Sequence, residues 1–221
     1  MHRSPCCLLL CLALLIPMPL PGAERSDEAE AAERKAEHLE ETVVEENDPG
    51  PIVPGMAIEK SEAQAVDPEG EQPLDDALTC LARTIYWEAR GEAAADMEAV
   101  ANVVINRLAH GGFPDTVCGV VRQGLEQGTC QFSWWCDGRV DEADEEGAYD
   151  ISKEIARRAL NQQLPDRTDG ALYFHHRKML PDWATHYTKT VDVGGFAFYR
   201  PQDGAARWVL YENCLRLPIR R

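Results

Sequence analysis

The stretch IYWEARGEA, residues 85–93, crowds Glu88, Arg90 and Glu92 against Tyr86 and Trp87 directly after an apolar run. A carboxyl group beside apolar and aromatic surface loses hydration in its charged form, so its pKa rises and it holds a proton closer to neutral pH. Such a group can pass that proton to a leaving oxygen, which is the general-acid step of glycosidic bond cleavage. Most glycosidases use a second carboxyl group. Glu92 lies one turn beyond Glu88, and two carboxylates on one side of a helix cannot easily flank a sugar ring from opposite faces. Glu92 therefore reads as a structural partner of Arg90, Arg107 or a backbone group, while Asp137 and Asp182 are later acids that could approach from elsewhere. The competing reading of Glu88 is a helix-end glutamate paired with Arg90.

A helix has to hold Glu88 in that position. Leu78, Leu81, Ala82 and Ile85 recur at helical spacing behind the capping candidates Asp75 and Asp76, and Glu88 follows Ile85 at i+3, on or beside the buried stripe. Gly91 is suited to end that helix. A second helix is expected over about residues 94–110 with Met97, Val100, Ala101, Val104, Ile105 and Leu108 as its core stripe, stopped by Gly111 and Gly112. Asn106 and Arg107 border that stripe, either at the surface or with Arg107 paired to a carboxylate such as Glu92. A third helix is expected over 143–163, acidic early and basic late, which suits its dipole. Residues 171–174 read as a strand, and 188–199 as two strands turning at Gly194-Gly195. The fold class is α+β, a helical domain with a small antiparallel sheet.

Residues 24–77 hold eighteen Asp and Glu against four Lys and Arg, whereas 78–221 are nearly balanced, twenty against seventeen. That acidic segment has no aromatic residue and five prolines between Pro49 and Pro73, so it reads as a disordered linker (24–77), transiently helical over 29–41, ahead of a catalytic domain (78–221). Neither part has the basic excess of a nucleic-acid binder. The start is cationic, then apolar from Cys6 to Ile16, then broken by prolines, with Ala23 offering a cleavage site. This is the layout of a signal peptide (1–23), too short to persist as a membrane span. Export makes Cys80, Cys118, Cys130, Cys136 and Cys214 disulfide material. One bridge is expected among Cys118, Cys130 and Cys136, and a second between Cys80 and Cys214.

The segments LARTIYWEARGEAAADMEAVANVVINRL, FPDTVCGVVRQG, CQFSWWCDG, GALYFHH and TKTVDVGGFAFYR resemble the cell-wall hydrolase family typified by bacterial spore cortex-lytic enzymes. The resemblance covers about residues 78–200. It implies a lysozyme- or lytic-transglycosylase-like fold and an enzyme that cuts peptidoglycan glycan strands between N-acetylmuramic acid and N-acetylglucosamine. It makes Glu88 the catalytic acid. It also implies that one carboxyl group suffices, because the sugar's own 6-hydroxyl can serve as nucleophile. Gln131, Phe132 and Ser133 match a stretch expected along the glycan cleft, with a merely disulfide-pinned loop as the alternative. Tyr173 and Trp183 are further candidates for substrate contact, as Trp134 and Trp135 are for stacking, and Arg90, Glu92, Asn106 and Arg107 for structural support. His175, His176 and His186 lack a recognised zinc spacing, so no metal and no cofactor are expected. Relatives often read Gly-Asn-His-x-Phe-Tyr near the end, where this chain has Phe196 in the histidine position. A fold that binds peptidoglycan without turnover, or a metal-dependent amidase, are the alternative functions. The sequence names no protein partner.

Overall fold

The computed structural model describes residues 26–45 and 52–202. Among them lie six α-helices, α1 (Asp27–Glu45), α2 (Lys60–Ala65), α3 (Ala77–Ala89), α4 (Ala94–Leu108), α5 (Val117–Arg122) and α6 (Glu146–Leu160). Three strands follow, β1 (Tyr173–His176), β2 (Tyr187–Val193) and β3 (Phe196–Pro201). The fold is α+β, as the residue pattern predicts. The expected signal segment and Cys214 lie outside the described residues.

Helix α3 is the centre of the helical layer. The Asp76 side chain accepts from Thr79 N at 2.8 Å and so satisfies one of the donors a helix start leaves open. Every residue of α3 from Ala77 to Tyr86 is buried, because α1, α4, α5 and α6 cover it from different sides. A disulfide joins Cys80 on α3 to Cys118 on α5. The expected Cys80–Cys214 bridge is therefore ruled out, since Cys80 is already bonded to a near neighbour in space. Cys130–Cys136 closes the loop before α6 and is the bridge anticipated among the three central cysteines.

The segment read as a disordered linker contains structure. Helix α1 turns a face of Ala29, Ala32, Ala36, Leu39 and Val43 inward, all buried. Spacings of three and four residues put these on one stripe, and alanines let the helix backbone approach its neighbours closely. Composition misled here because the stripe is built mainly from small residues. Glu40 accepts from Val117 N at 2.7 Å, and Lys35 donates to both carboxylate oxygens of Glu62 at 2.7 Å, so α1 is fastened to α5 and α2. Burial pushes the Glu40 carboxyl pKa up.

Residues 58–72 are pinned just as firmly. Ile58 exchanges two hydrogen bonds with the Asn161 side chain, both 2.9 Å. Asp67, fully buried, pairs with Arg83 at 2.7 Å and accepts from Tyr149 OH at 2.6 Å, and its other oxygen takes Gln72 N at 2.8 Å. The folded unit thus starts well before residue 78.

The sheet is antiparallel in the order β1-β3-β2. Tyr173 faces Tyr199 and His176 faces Phe196 across β1 and β3, while Val193 faces Phe196 across the hairpin. Gly194 makes the turn at φ +48°, and a Cβ there would overlap the Asp96 carboxylate. That close approach lets Asp96, buried in the first turn of α4, accept from Gly195 N at 2.6 Å. The hairpin tip is therefore seated on the start of α4.

Candidate active site

Glu88 is the penultimate residue of α3, and it is half-buried. Loss of hydration raises its pKa from the ordinary 4.5 to about 7, and the positive charge of Arg107 pulls the other way. The carboxyl group accordingly carries a proton over much of the range in which a general acid works best. Among the described residues no second carboxylate acts on it. The competing arrangement, a Glu88–Arg90 pair, does not form. Arg90 instead lies over the rings of Tyr86 at 4.9 Å and Trp87 at 4.7 Å, and donates to Tyr86 OH at 2.7 Å and to Glu145 at 3.0 Å. Tyr86 and Trp87 thus serve as a platform for the Arg90 cation.

Arg107 is not at the surface, and the carboxylate whose charge reaches it is Glu88 of α3 rather than Glu92. It is buried and unpaired with Glu92. Its guanidinium carbon sits 5.3 Å from the Phe113 ring, 5.2 Å from Phe132 and 5.4 Å from Tyr173, and Nε donates to Leu172 O at 2.7 Å. Burial lowers its pKa to about 10, and the charges of Tyr173, Glu88 and Tyr187 oppose that shift. Asn106, beside it, donates to Thr168 Oγ1 and Ala171 O, both at 3.1 Å. The two neighbours on α4 therefore hold the chain entering β1.

Glu92 faces the hairpin. Its carboxylate lies 3.9 Å from His176 Nε2, and a Cβ on Gly195 would touch both groups. His176 meets the Phe196 ring edge-on at 5.5 Å. Phe196 is buried, and the His176 imidazole stands directly across the strand pair from it.

Of the cleft candidates, Phe132 is buried, packed between Arg107 and Phe174. Gln131 and Ser133 are exposed beside it on a loop whose backbone is held by Gln131 N donating to Gln123 O at 2.9 Å. Tyr173 is buried with its ring 4.7 Å from Tyr187 and 6.0 Å from Trp183, so it supports Arg107 and offers little face to a ligand. Trp183 is half-buried, Trp134 is buried and Trp135 lies beneath the Arg122 guanidinium. Asp137 and Asp182 are both exposed, and Asp137 caps its own turn at Arg139 N. Among the described residues no cluster of His, Cys, Asp or Glu could hold a metal. The sequence missed Phe113, Tyr187, Asp96 and His176 as site neighbours, since each arrives from a different element.

Residues 91–199 match the family model described as Cell Wall Hydrolase, a match that begins three positions after Glu88. These residues are a Cell Wall Hydrolase domain. The chain is 34% identical over 130 residues to a spore cortex-lytic enzyme of Halalkalibacterium halodurans, covering 58% of this chain and 32% of the relative. It is 32% identical over 128 residues to the spore cortex-lytic enzyme of Bacillus subtilis, covering 57% and 36%. The matched part thus spans about a third of the length of these curated relatives. Among solved structures it is similar to the catalytic domain of the germination-specific lytic transglycosylase SleB from Bacillus anthracis. There the identity is 26% and the TM-score 0.47, with 58% of this chain and all of that chain covered.

Proposed function

We propose that the Cell Wall Hydrolase domain is a lytic transglycosylase that cleaves peptidoglycan glycan strands between N-acetylmuramic acid and N-acetylglucosamine, with Glu88 as acid and then base. The observation that carries this reading is a carboxyl group that burial keeps protonated to about pH 7, with an arginine and, among the described residues, no other carboxylate acting on it. In the first half-reaction Glu88 gives its proton to the bridging oxygen, the bond from that oxygen to the muramic acid anomeric carbon breaks, and Glu88 is left ionised. In the second, the 6-hydroxyl of the same muramic acid attacks the anomeric carbon and its proton returns to Glu88. The product is a 1,6-anhydro ring, and no water is consumed. An intramolecular nucleophile has an effective concentration that replaces a second carboxylate. The curated relatives bear a name for cortex lysis, which agrees with a peptidoglycan substrate. The apolar run from Cys6 to Ile16 supports delivery to the cell envelope.

The test is Glu88→Gln on purified sacculi, with the released muropeptides read by mass spectrometry. The variant should release no 1,6-anhydro product, at least about a hundredfold below the parent, since it cannot supply the proton. Cleavage at the parental rate would reject the assignment, and reducing-end products from the parent would make it an ordinary hydrolase.

A further inference from the structure

Arg107 is placed at a cost that packing alone does not explain. It is 1% exposed, its charge has no carboxylate within ion-pair distance among the described residues, and its Nη1 is buried without a hydrogen-bond partner. Burying a guanidinium without a counter-ion is expensive, and an unfilled donor adds to the cost. Three aromatic rings and one carbonyl offset part of it. A phenyl or aliphatic side chain would fill the same space with no charge to desolvate. The titratable groups whose charge reaches Arg107 are Glu88 on α3, Tyr173 on β1 and Tyr187 on β2, and Glu88 is the only carboxylate among them. On Glu88 the one charge that acts is that of Arg107. The pair is therefore mismatched while Glu88 holds its proton and matched once the proton has left.

We propose that Arg107 is the positioning residue of the reaction, a buried cation whose unfilled donor and charge stabilise the Glu88 carboxylate during the interval between glycosidic cleavage and ring closure. This rests on the reading of Glu88 as acid and then base. The aromatic cage of Phe113, Phe132 and Tyr173 keeps water from Arg107, so its field reaches Glu88 little screened. Phe132 belongs to the loop closed by Cys130–Cys136, which links the cage to the candidate cleft. The resting state bears the mismatch and the ionised intermediate relieves it, which is the direction in which binding energy accelerates a reaction.

The experiment compares the full chain with Arg107→Gln and Arg107→Lys for muropeptide release across pH 4–9, with circular dichroism to verify folding. Without the cation, the alkaline limb of the rate profile should move up by about one pH unit, because the opposite charge that eased ionisation is gone. The plateau should fall about tenfold or more. Arg107→Lys should recover part of both. A folded Arg107→Gln whose limb stays in place overturns the proposal, whatever its rate, because a purely structural role would slow the enzyme without moving the limb. If Arg107→Gln does not fold, the double variant Glu88→Gln/Arg107→Gln decides. Recovery of folding supports the charge pairing, and continued failure shows Arg107 to be a packing hub and overturns it. Glu88→Gln alone tests the underlying reading separately: full activity there sinks the Glu88 assignment, while the limb in Arg107→Gln still reports on the cation.

Discussion

Glu88→Gln should do more than remove activity, for it should also stabilise the protein in a pH-dependent way. The Glu88 carboxyl is raised from 4.5 to about 7 by burial. Between those two pH values the native state binds a proton that the unfolded chain has released, so the stability of the parent falls as pH rises through that window. The separation corresponds to roughly 3 kcal/mol at about 1.36 kcal/mol for each factor of ten in proton affinity. That figure already contains the opposing pull of Arg107, and the exposure Glu88 retains reduces it further. A net gain of about 2 kcal/mol at pH 8 is therefore expected for Glu88→Gln, shrinking to near zero at pH 4, where both native and unfolded parent are protonated. Urea unfolding of parent and variant at the two pH values, followed by tryptophan fluorescence, reads the difference directly. An equal change at pH 4 and pH 8, or a loss at pH 8, would refute the claim that the carboxyl is desolvated in the native state.

Two further outcomes follow from the scaffold. Asp67→Asn keeps the left-handed backbone at φ 44°, which asparagine tolerates, but strips the charge from the buried pair with Arg83, so urea unfolding should show a loss of about 3 kcal/mol; a loss below about 1 kcal/mol would mean that Arg83 is compensated by other groups. Gly194→Ala drives a methyl group into the Asp96 carboxylate at a positive φ, so it should cost at least about 2 kcal/mol and reduce glycan cleavage by displacing the hairpin, whereas the same change at Gly91, where a Cβ meets nothing, should cost only the backbone strain of about 1 kcal/mol.

The parts of this structure that a reader of the sequence could see are those set by neighbours in the chain. The Asp76 cap, the apolar face of α3, Gly91 at its end and the Gly194-Gly195 turn depend on spacings of a few residues, and each is present. The half-buried place of Glu88 on α3 was legible for the same reason, as the next position after Ile85 on a buried stripe. What stayed hidden depends on side chains meeting across elements. Arg107 reads as a polar residue at the edge of a helix, and only the arrival of Phe113, Phe132 and Tyr173 makes its position a buried one. Cys80 gave no sign of preferring Cys118 over Cys214, because that choice follows from how α5 packs on α3. The helical tendency of residues 29–41 was legible, but not that helix α1 packs on the domain, since a stripe of alanines looks like linker until a second surface covers it.

Helix α4 explains why the two layers meet in one register. Asp96 and Arg107 lie eleven positions apart, about three full turns, so they project from the same face. At the start of the helix Asp96 binds the hairpin tip through Gly195 N. At its end Arg107 and Asn106 bind Leu172 O and Ala171 O, the residues that lead into β1. β1 runs from Tyr173 near Arg107 to His176 opposite Phe196 beside that tip, so its start is tied to α4 directly and its end through the hairpin. A slip of one residue would exchange the two faces of β1 and move Tyr173 off Arg107. The polar anchors therefore do what apolar packing alone does poorly: they fix a single alignment, and with it the place of Tyr173 beside Arg107.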